Sequence, residues 1–341
     1  MLKRLSLYLG LLLSLPVSGA ALLKPHKLSS WGILPANYSG ITPFGAGRYA
    51  VVSDKEPLDG FYVWYIQQNP LTGDILQIIN HGFAGQVPLD TNTEGISLRD
   101  SEDIIYCPQR QSFFVCGEGY QDIIEMNMEG QRTGYELSVP DYLRNIYPNY
   151  GFEALAYDSV LQTFYTTTEN ALPADSPSTS YLYRQPVTLH IQTFQGISEP
   201  GRLIFPPSHE YLYELDMPRA TRMGRQYAHG VVAMTALGEG RLAVLEREAF
   251  VSQAFVGSWV YNKLYIVDTR QAPGSMLQKQ FVAEWDTHLR VANHNWANYE
   301  GMCLGAPLSD GRQTLILISD SQGGYGIDPV HLNDYIRVIV L

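Results

Sequence analysis

The chain has 341 residues, 45% of them apolar, and its 34 acids against 23 lysines and arginines give a formal net charge of −11. Acid excess argues against nucleic acid or anionic membrane surfaces as partners, which basic patches serve, and points towards cations. The apolar share suffices for a core, and the length suits one large repeat-built unit.

The first twenty residues read as an export signal: Lys3 and Arg4 form a basic start, Leu5 to Leu15 an apolar core, and Ser18-Gly19-Ala20 a small-residue cleavage site. The apolar stretch is too short to span a bilayer comfortably and no second candidate follows, so no membrane span is expected. The mature chain, 21–341, is expected in the periplasm or outside the cell after cleavage near Ala20 or Ala21. Losing Lys3 and Arg4 takes the formal charge from −11 to −13.

From there to the C-terminus one pattern recurs. A short apolar strand opens on Ser39-Gly40-Ile41, Glu94-Gly95-Ile96, Glu153-Ala154-Leu155, His229-Gly230-Val231 and Glu300-Gly301-Met302. A second strand then ends on an acid: Asp54, Glu118, Glu169, Glu246 and Asp320. Third strands follow in GFYVWYI, QDIIEMN and NKLYIVD, and fourth strands in LQIINH, EYLYELD and QFVAEW. Runs of β-branched and aromatic residues bounded by Gly, Pro, Asn and Asp predict strands, and no long stretch carries a helical stripe. Successive openings lie 55, 59, 76 and 71 residues apart, enough for four strands each. The expectation is therefore an all-β chain folded as a single β-propeller of four-stranded blades. Five repeats are visible, and the two longest intervals leave six as the alternative. After Asp320 one clear strand remains, Tyr335 to Leu341, so the last blade lacks an outer strand. The segment around Trp31-Gly32-Ile33-Leu34 is expected to supply it, closing the ring with both termini.

Cys107 and Cys116 flank a turn between the first two strands of the second blade and either pair across it or remain two buried thiols. Cys303, in an apolar strand, reads as a small buried hydrophobe.

The first strand of a propeller blade lines the central channel. If the openings are equivalent, Asp54, Glu94, Glu118, Glu153, Glu169, Glu246, Glu300 and Asp320 share one mouth. Like charges held this close need protons, arginines or cations between them. Calcium fits an oxygen-only ring in flexible geometry, whereas no zinc spacing or EF-hand loop occurs. Repeated acids that merely accept backbone N–H bonds in turns give the same pattern. His229, the odd member, is a candidate general base or else a hydrogen-bonded core residue. Arg247 is a candidate substrate-facing cation or else a structural ion-pair partner. Tyr150, Tyr227 and Tyr299, just before three openings, are candidate walls of a pocket. There is no G-x-S-x-G elbow, P-loop, H-E-x-x-H or G-x-G-x-x-G, so no serine nucleophile is in view.

The run Gly151-Phe152-Glu153-Ala154-Leu155-Ala156, the segment from His229-Gly230 to Leu245-Glu246-Arg247, and the stretch from Asn298-Tyr299-Glu300-Gly301 to Ile318-Ser319-Asp320 resemble the phytase-like family described as having esterase-like activity of phytase. The likeness extends from about Gly40 to the C-terminus. It implies an exported propeller and a hydrolase acting on phosphoester or carboxylic ester bonds, with a small-molecule ester as its partner. The Asp-Ala-Ala-Asp-Asp-Pro run of established β-propeller phytases does not occur in this sequence. The resulting expectation is a monomeric, calcium-assisted hydrolase with Glu153, His229, Arg247 and Glu300 as catalytic residues. The alternative is a non-catalytic propeller that binds a ligand or partner and carries structural calcium.

Overall fold

A computed structural model describes residues 19–290, 293–327 and 330–341. Most of the expected export signal, residues 1–18, lies outside the described residues. Among those described, the regular structure is β apart from two four-residue 3-10 turns, Leu28–Trp31 and Asp141–Arg144. Among the described residues no helix is long and apolar enough to cross a membrane.

Five antiparallel sheets form a five-bladed propeller, with four strands numbered from the channel outwards in each. Blade 1 is Tyr38–Pro43, Arg48–Ser53, Asp59–Gln68 and Ile75–Gln86. Blade 2 is Ser101–Cys107, Ser112–Gly117, Asp122–Met126 and Arg132–Glu136. Blade 3 is Phe152–Asp158, Thr163–Thr168, Val187–Gln195 and Pro207–Leu215. Blade 4 is Gln226–Gly238, Arg241–Ser252, Phe255–Asp268 and Gln280–Arg290. Blade 5 has Asn298–Leu304, Thr314–Asp320 and Tyr335–Val340, and its outermost position is filled from the N-terminus. The innermost strand of each blade neighbours those of the blades on either side, and that of blade 5 meets that of blade 1.

Each blade buries both of its faces, which is why one blade cannot stand alone. The apolar core is divided among the five blade interfaces. Phe61, Phe113 and Val115 pack between blades 1 and 2, and Phe114, Phe152 and Phe164 between blades 2 and 3. Tyr165, Val231 and Val244 pack between blades 3 and 4, and Leu245, Tyr299 and Leu317 between blades 4 and 5. Trp64, Ile316 and Val338 close the circle between blades 5 and 1. A buried carboxylate ties blade 3 to blade 4. Asp158 accepts the N–H groups of Val160 and Leu161 in its own hairpin turn and that of Gly240 at 2.8 Å in the next.

The two long intervals hold no sixth blade. The first is taken up by the loop between Thr168 and Val187 and by a small hairpin, Ile197–Glu199 with Arg202–Ile204. The second reflects the strands of blade 4, which reach 14 residues and extend beyond the ring. There Val251, Phe255, Val260, Leu289, Trp296 and Leu332 form a satellite cluster.

Ring closure uses a different N-terminal segment from the one expected. Ala21 and Leu22 pair with Val340 and Ile339, and His26 and Lys27 pair with Ile336 and Tyr335. The Trp31 segment is the 3-10 turn, whose Leu28 plugs the interface between blades 5 and 1. All three cysteines are free and buried. Cys107 lies opposite Ser112, so Cys116 is four positions further along the ladder, roughly 13 Å away at ~3.3 Å per residue and beyond disulfide reach.

Candidate functional site at the acidic mouth

One irregularity repeats in all five blades and sets the site. Between the first and second strands the register slips by one residue, leaving Ser39, Glu102, Glu153, Val232 and Glu300 as the extra residue in blades 1 to 5. Such β-bulges re-aim a side chain. Here three of the five extra residues, Glu102, Glu153 and Glu300, line a cavity of about 510 Å³ at one end of the channel. The second strand supplies a second ring at the same level. One position beyond the partner of the residue before each bulge stand Asp54, Glu118, Glu169, Arg247 and Asp320, all of them lining the same cavity. Asp100 and Lys55 complete its charged wall.

Six of the eight expected metal ligands therefore come together: Asp54, Glu118, Glu153, Glu169, Glu300 and Asp320. The other two do not. Glu94 is exposed in a loop, where its N–H bonds Asn92 Oδ1, and Glu102 holds the position expected of it. Glu246 is one residue out of frame and faces away from the cavity. Its carboxylate accepts the Tyr213 hydroxyl and the Lys279 ammonium, each at 2.7 Å, and Arg247 stands where the other blades have an acid. His229 is likewise not the odd member of the ring, because the bulge of blade 4 falls three residues later on Val232. It is 3% exposed, its Nδ1 lies 3.1 Å from Thr179 Oγ1, and burial together with Arg247 pushes its pKa down to about 3. A buried neutral imidazole outside the mouth is a core residue.

Electrostatics make this site unlike an ordinary charged surface. Eight carboxylates line the cavity against Lys55 and Arg247. Arg247 is 5% exposed, and its Nη2 donates to Glu169 at 2.9 Å and lies 3.2 Å from Glu300. Burial pulls its pKa down, but Glu169, Glu300 and Glu153 more than offset that, so it stays a cation. Burial pushes Glu169 up to about 8 even against the pull of Arg247, and Asp54 up to about 7 against that of Lys55. Burial and then neighbouring acids raise Glu102, Glu153 and Asp320 well above the carboxylate range.

The oxygens fall into two overlapping groups. Asp54, Asp100 and Glu102 can bring one oxygen each within 4.8 Å of one another, and so can Glu102, Glu118 and Glu153. Both sets offer only carboxylate oxygen, the donor chemistry of a hard cation such as calcium. Oδ1 of Asp54 is a buried acceptor without a partner among the described residues. The Lys55 ammonium, 2.9 Å from Asp54 and 2.5 Å from Asp100, partly neutralises the first set from a half-exposed side chain that can swing aside.

A stability prediction follows for protein freed of divalent cations. These carboxyls bind a proton more tightly folded than unfolded, so unfolding releases protons and stability falls as pH rises from about 4.5 to about 8. His229 acts oppositely, losing stability as pH falls from 6.5 towards 3, but it is one group against several. The expected loss from pH 5 to pH 8 is on the order of 5 kcal/mol. Urea unfolding in chelator checks it, and stability that rises over this range would mean the mouth is already charge-neutral.

The signal for Glu102 was in the sequence. Glu102-Asp103-Ile104-Ile105-Tyr106 parallels Glu153-Ala154-Leu155-Ala156-Tyr157, but the Gly at 95 made Glu94 look like the opening. Of the three tyrosines expected as pocket walls, Tyr150 and Tyr227 line a second cavity of about 360 Å³ that shares Asn149, Ala228, Arg247, Gln322 and Tyr325 with the first. Tyr299 is instead buried against Trp285 in the core.

A family model described as phytase-like, esterase-like activity of phytase, matches residues 36–322. No curated protein matches the sequence. Among solved structures, the chain is similar to a streptogramin B lyase at 11% identity and a TM-score of 0.35, covering 94% of this chain and 98% of that one. It is similar to the PQQ-bound form of an aldose sugar dehydrogenase from Streptomyces coelicolor at 10% identity and a TM-score of 0.38, covering 95% and 98%. It is also similar to a DUF4221-family protein from Bacteroides vulgatus at 8% identity and a TM-score of 0.39, covering 95% and 98%.

Proposed function

The chain belongs to the phytase-like family, described by the esterase-like activity of phytase, and on that premise we propose that it hydrolyses phosphoesters or related esters at the acidic mouth, assisted by calcium. The observation that carries this reading is the convergence of eight carboxylates, several held far above their ordinary pKa, around one buried arginine. An anionic ester would be repelled by that mouth alone. Asp54, Asp100, Glu102, Glu118 and Glu153 would hold calcium, which supplies positive charge to offset the carboxylates and draw in the oxygens of the ester.

The chain's own groups divide the remaining work. Arg247, fixed by Glu169 and Glu300, presents a guanidinium to both cavities and orients an ester oxygen there. Glu169, with its pKa near 8, holds a proton at neutral pH and can give it to the leaving oxygen. Glu153 and Glu300, re-aimed by their bulges, face the same space and position the attacking water. His229, Glu94 and Glu246 have no part in this scheme.

The protein acts as an exported monomer in this reading. Cleavage of the signal after Ala20 leaves Ala21 in its pairing with Val340, whereas cleavage after Ala21 would shorten that strand. The second reading, a binding propeller braced by calcium, draws on the ion pairs that already occupy Arg247. Phosphate release from phytate and from an aryl phosphate, measured with calcium and after chelation, separates the two. Calcium-dependent release is expected. Chelation that lowers Tm while neither ester is turned over in any condition would favour the binding propeller.

A further inference from the structure

The second cavity differs in chemistry from the mouth that it joins. Among the described residues no carboxylate lines it, and the one charged group there is Arg247, at the junction. Tyr150, Tyr227, Trp296 and Tyr325 supply aromatic walls, and the extended strands of blade 4 supply an apolar floor through Val251 and Val260. Its volume of about 360 Å³ lies within the ~300–1,000 Å³ of small-molecule sites.

Part of its polar lining is already paired: the Tyr227 hydroxyl donates to Glu248 and the Asn298 amide to Glu300. Burial and Glu169 hold the Tyr150 phenol above its ordinary range, at about 12, so it is a donor at neutral pH, and no partner for its hydroxyl is found among the described residues. Unpaired buried polar groups are costly, and a polar substituent on a ligand relieves that cost.

We infer that this cavity receives an uncharged, flat ring on the organic side of the ester, so that the preferred substrate is a monoester of an aromatic alcohol and not a polyphosphate. This rests on the hydrolase reading above and names its substrate class. Aromatic faces stack well on a flat ring, and the Tyr150 hydroxyl can donate to one polar substituent on it. Phytate in the same pose would press further phosphates against tyrosine, tryptophan and valine without counter-charges, at a large desolvation cost. Ala228 and Ala249, facing each other across the strand pair, are small enough to keep the passage open.

The test uses the mature chain with calcium, 2-naphthol as the ring probe, and 2-naphthyl and methyl phosphate as esters. Titration calorimetry is expected to show naphthol binding that weakens at least tenfold in Ala228→Leu and in Ala249→Leu, two variants that guard against misfolding of either one. The preference for naphthyl over methyl phosphate, as a ratio of kcat/KM, is expected to fall at least tenfold with them. Naphthol that does not bind, or binds both variants as tightly as the wild type, would overturn the inference even if esters are hydrolysed. Naphthol bound and blocked in this way, with no ester turned over, would support the ring pocket and remove the hydrolase reading instead.

Discussion

Replacing Arg247 by methionine is expected to lower the unfolding free energy by about 3–5 kcal/mol at pH 8, the usual loss when one partner of a buried ion pair is removed. Its guanidinium is the cation paired with Glu169 and Glu300, two largely buried carboxylates that face the mouth only in part. At pH 5 the loss should be somewhat smaller. Glu169, with its pKa near 8, is then protonated whether or not the arginine is present, so less uncompensated charge remains. Urea unfolding at both pH values in chelator measures the difference. Equal losses would mean that Arg247 contributes packing and not charge. Calcium added to the variant at pH 8 should restore part of the stability, because a dication in the mouth answers the same excess of negative charge.

Glu102→Gln is the variant expected to damage function most. Glu102 is the carboxylate common to both oxygen clusters, so its amide weakens two sites at once while keeping the shape of the side chain. Residues that merely support a metal ligand cost roughly 10–100-fold in affinity when changed, and a shared direct ligand should reach about 100-fold in calcium affinity and in calcium-dependent phosphate release. Glu94→Gln serves as the control, since Glu94 is exposed and bonded within its own loop. Calcium titration and turnover of the two variants decide the matter. An unchanged affinity in Glu102→Gln would move the cation away from the paired clusters.

The architecture was legible because it depends on repetition. Four of the five apolar openings, the acids at the ends of second strands and the tyrosine- and valine-rich third strands all mark strands of the blades, whose inner strands are buried on both faces, and the five sheets follow them. The site was legible only where the reading frame was correct. A bulge inserts one residue without any obligatory signature in composition, so the frame could not be checked in blade 4, where the apolar Val232 takes the place of a glutamate. That single slip put His229 and Glu246 in the expected ring and made Arg247 look like an acid's neighbour, when it is the fifth member of the ring itself. In blade 2 the error came from glycine. Gly95 at φ +79 belongs to a loop turn, and the true opening, Glu102-Asp103, has no glycine at all. The closing strand was missed for another reason. Two-residue pairings such as Ala21–Leu22 and His26–Lys27 have too few residues for a period to show.

The pairing of Ala21 with Val340 joins nearly the two ends of the chain and so sets an order of events. Contacts of such large sequence separation form slowly, because the entropy of closing the intervening loop must be met before the contact returns anything. Blades 1 to 4 can assemble from neighbouring hairpins, but the strand Tyr335–Val340 has to be in place before the N-terminal residues have anything to join. Until then the first and last blades expose strand edges to any other chain. The ring is therefore a late, all-or-nothing latch, and the moment of greatest aggregation risk falls just before it closes.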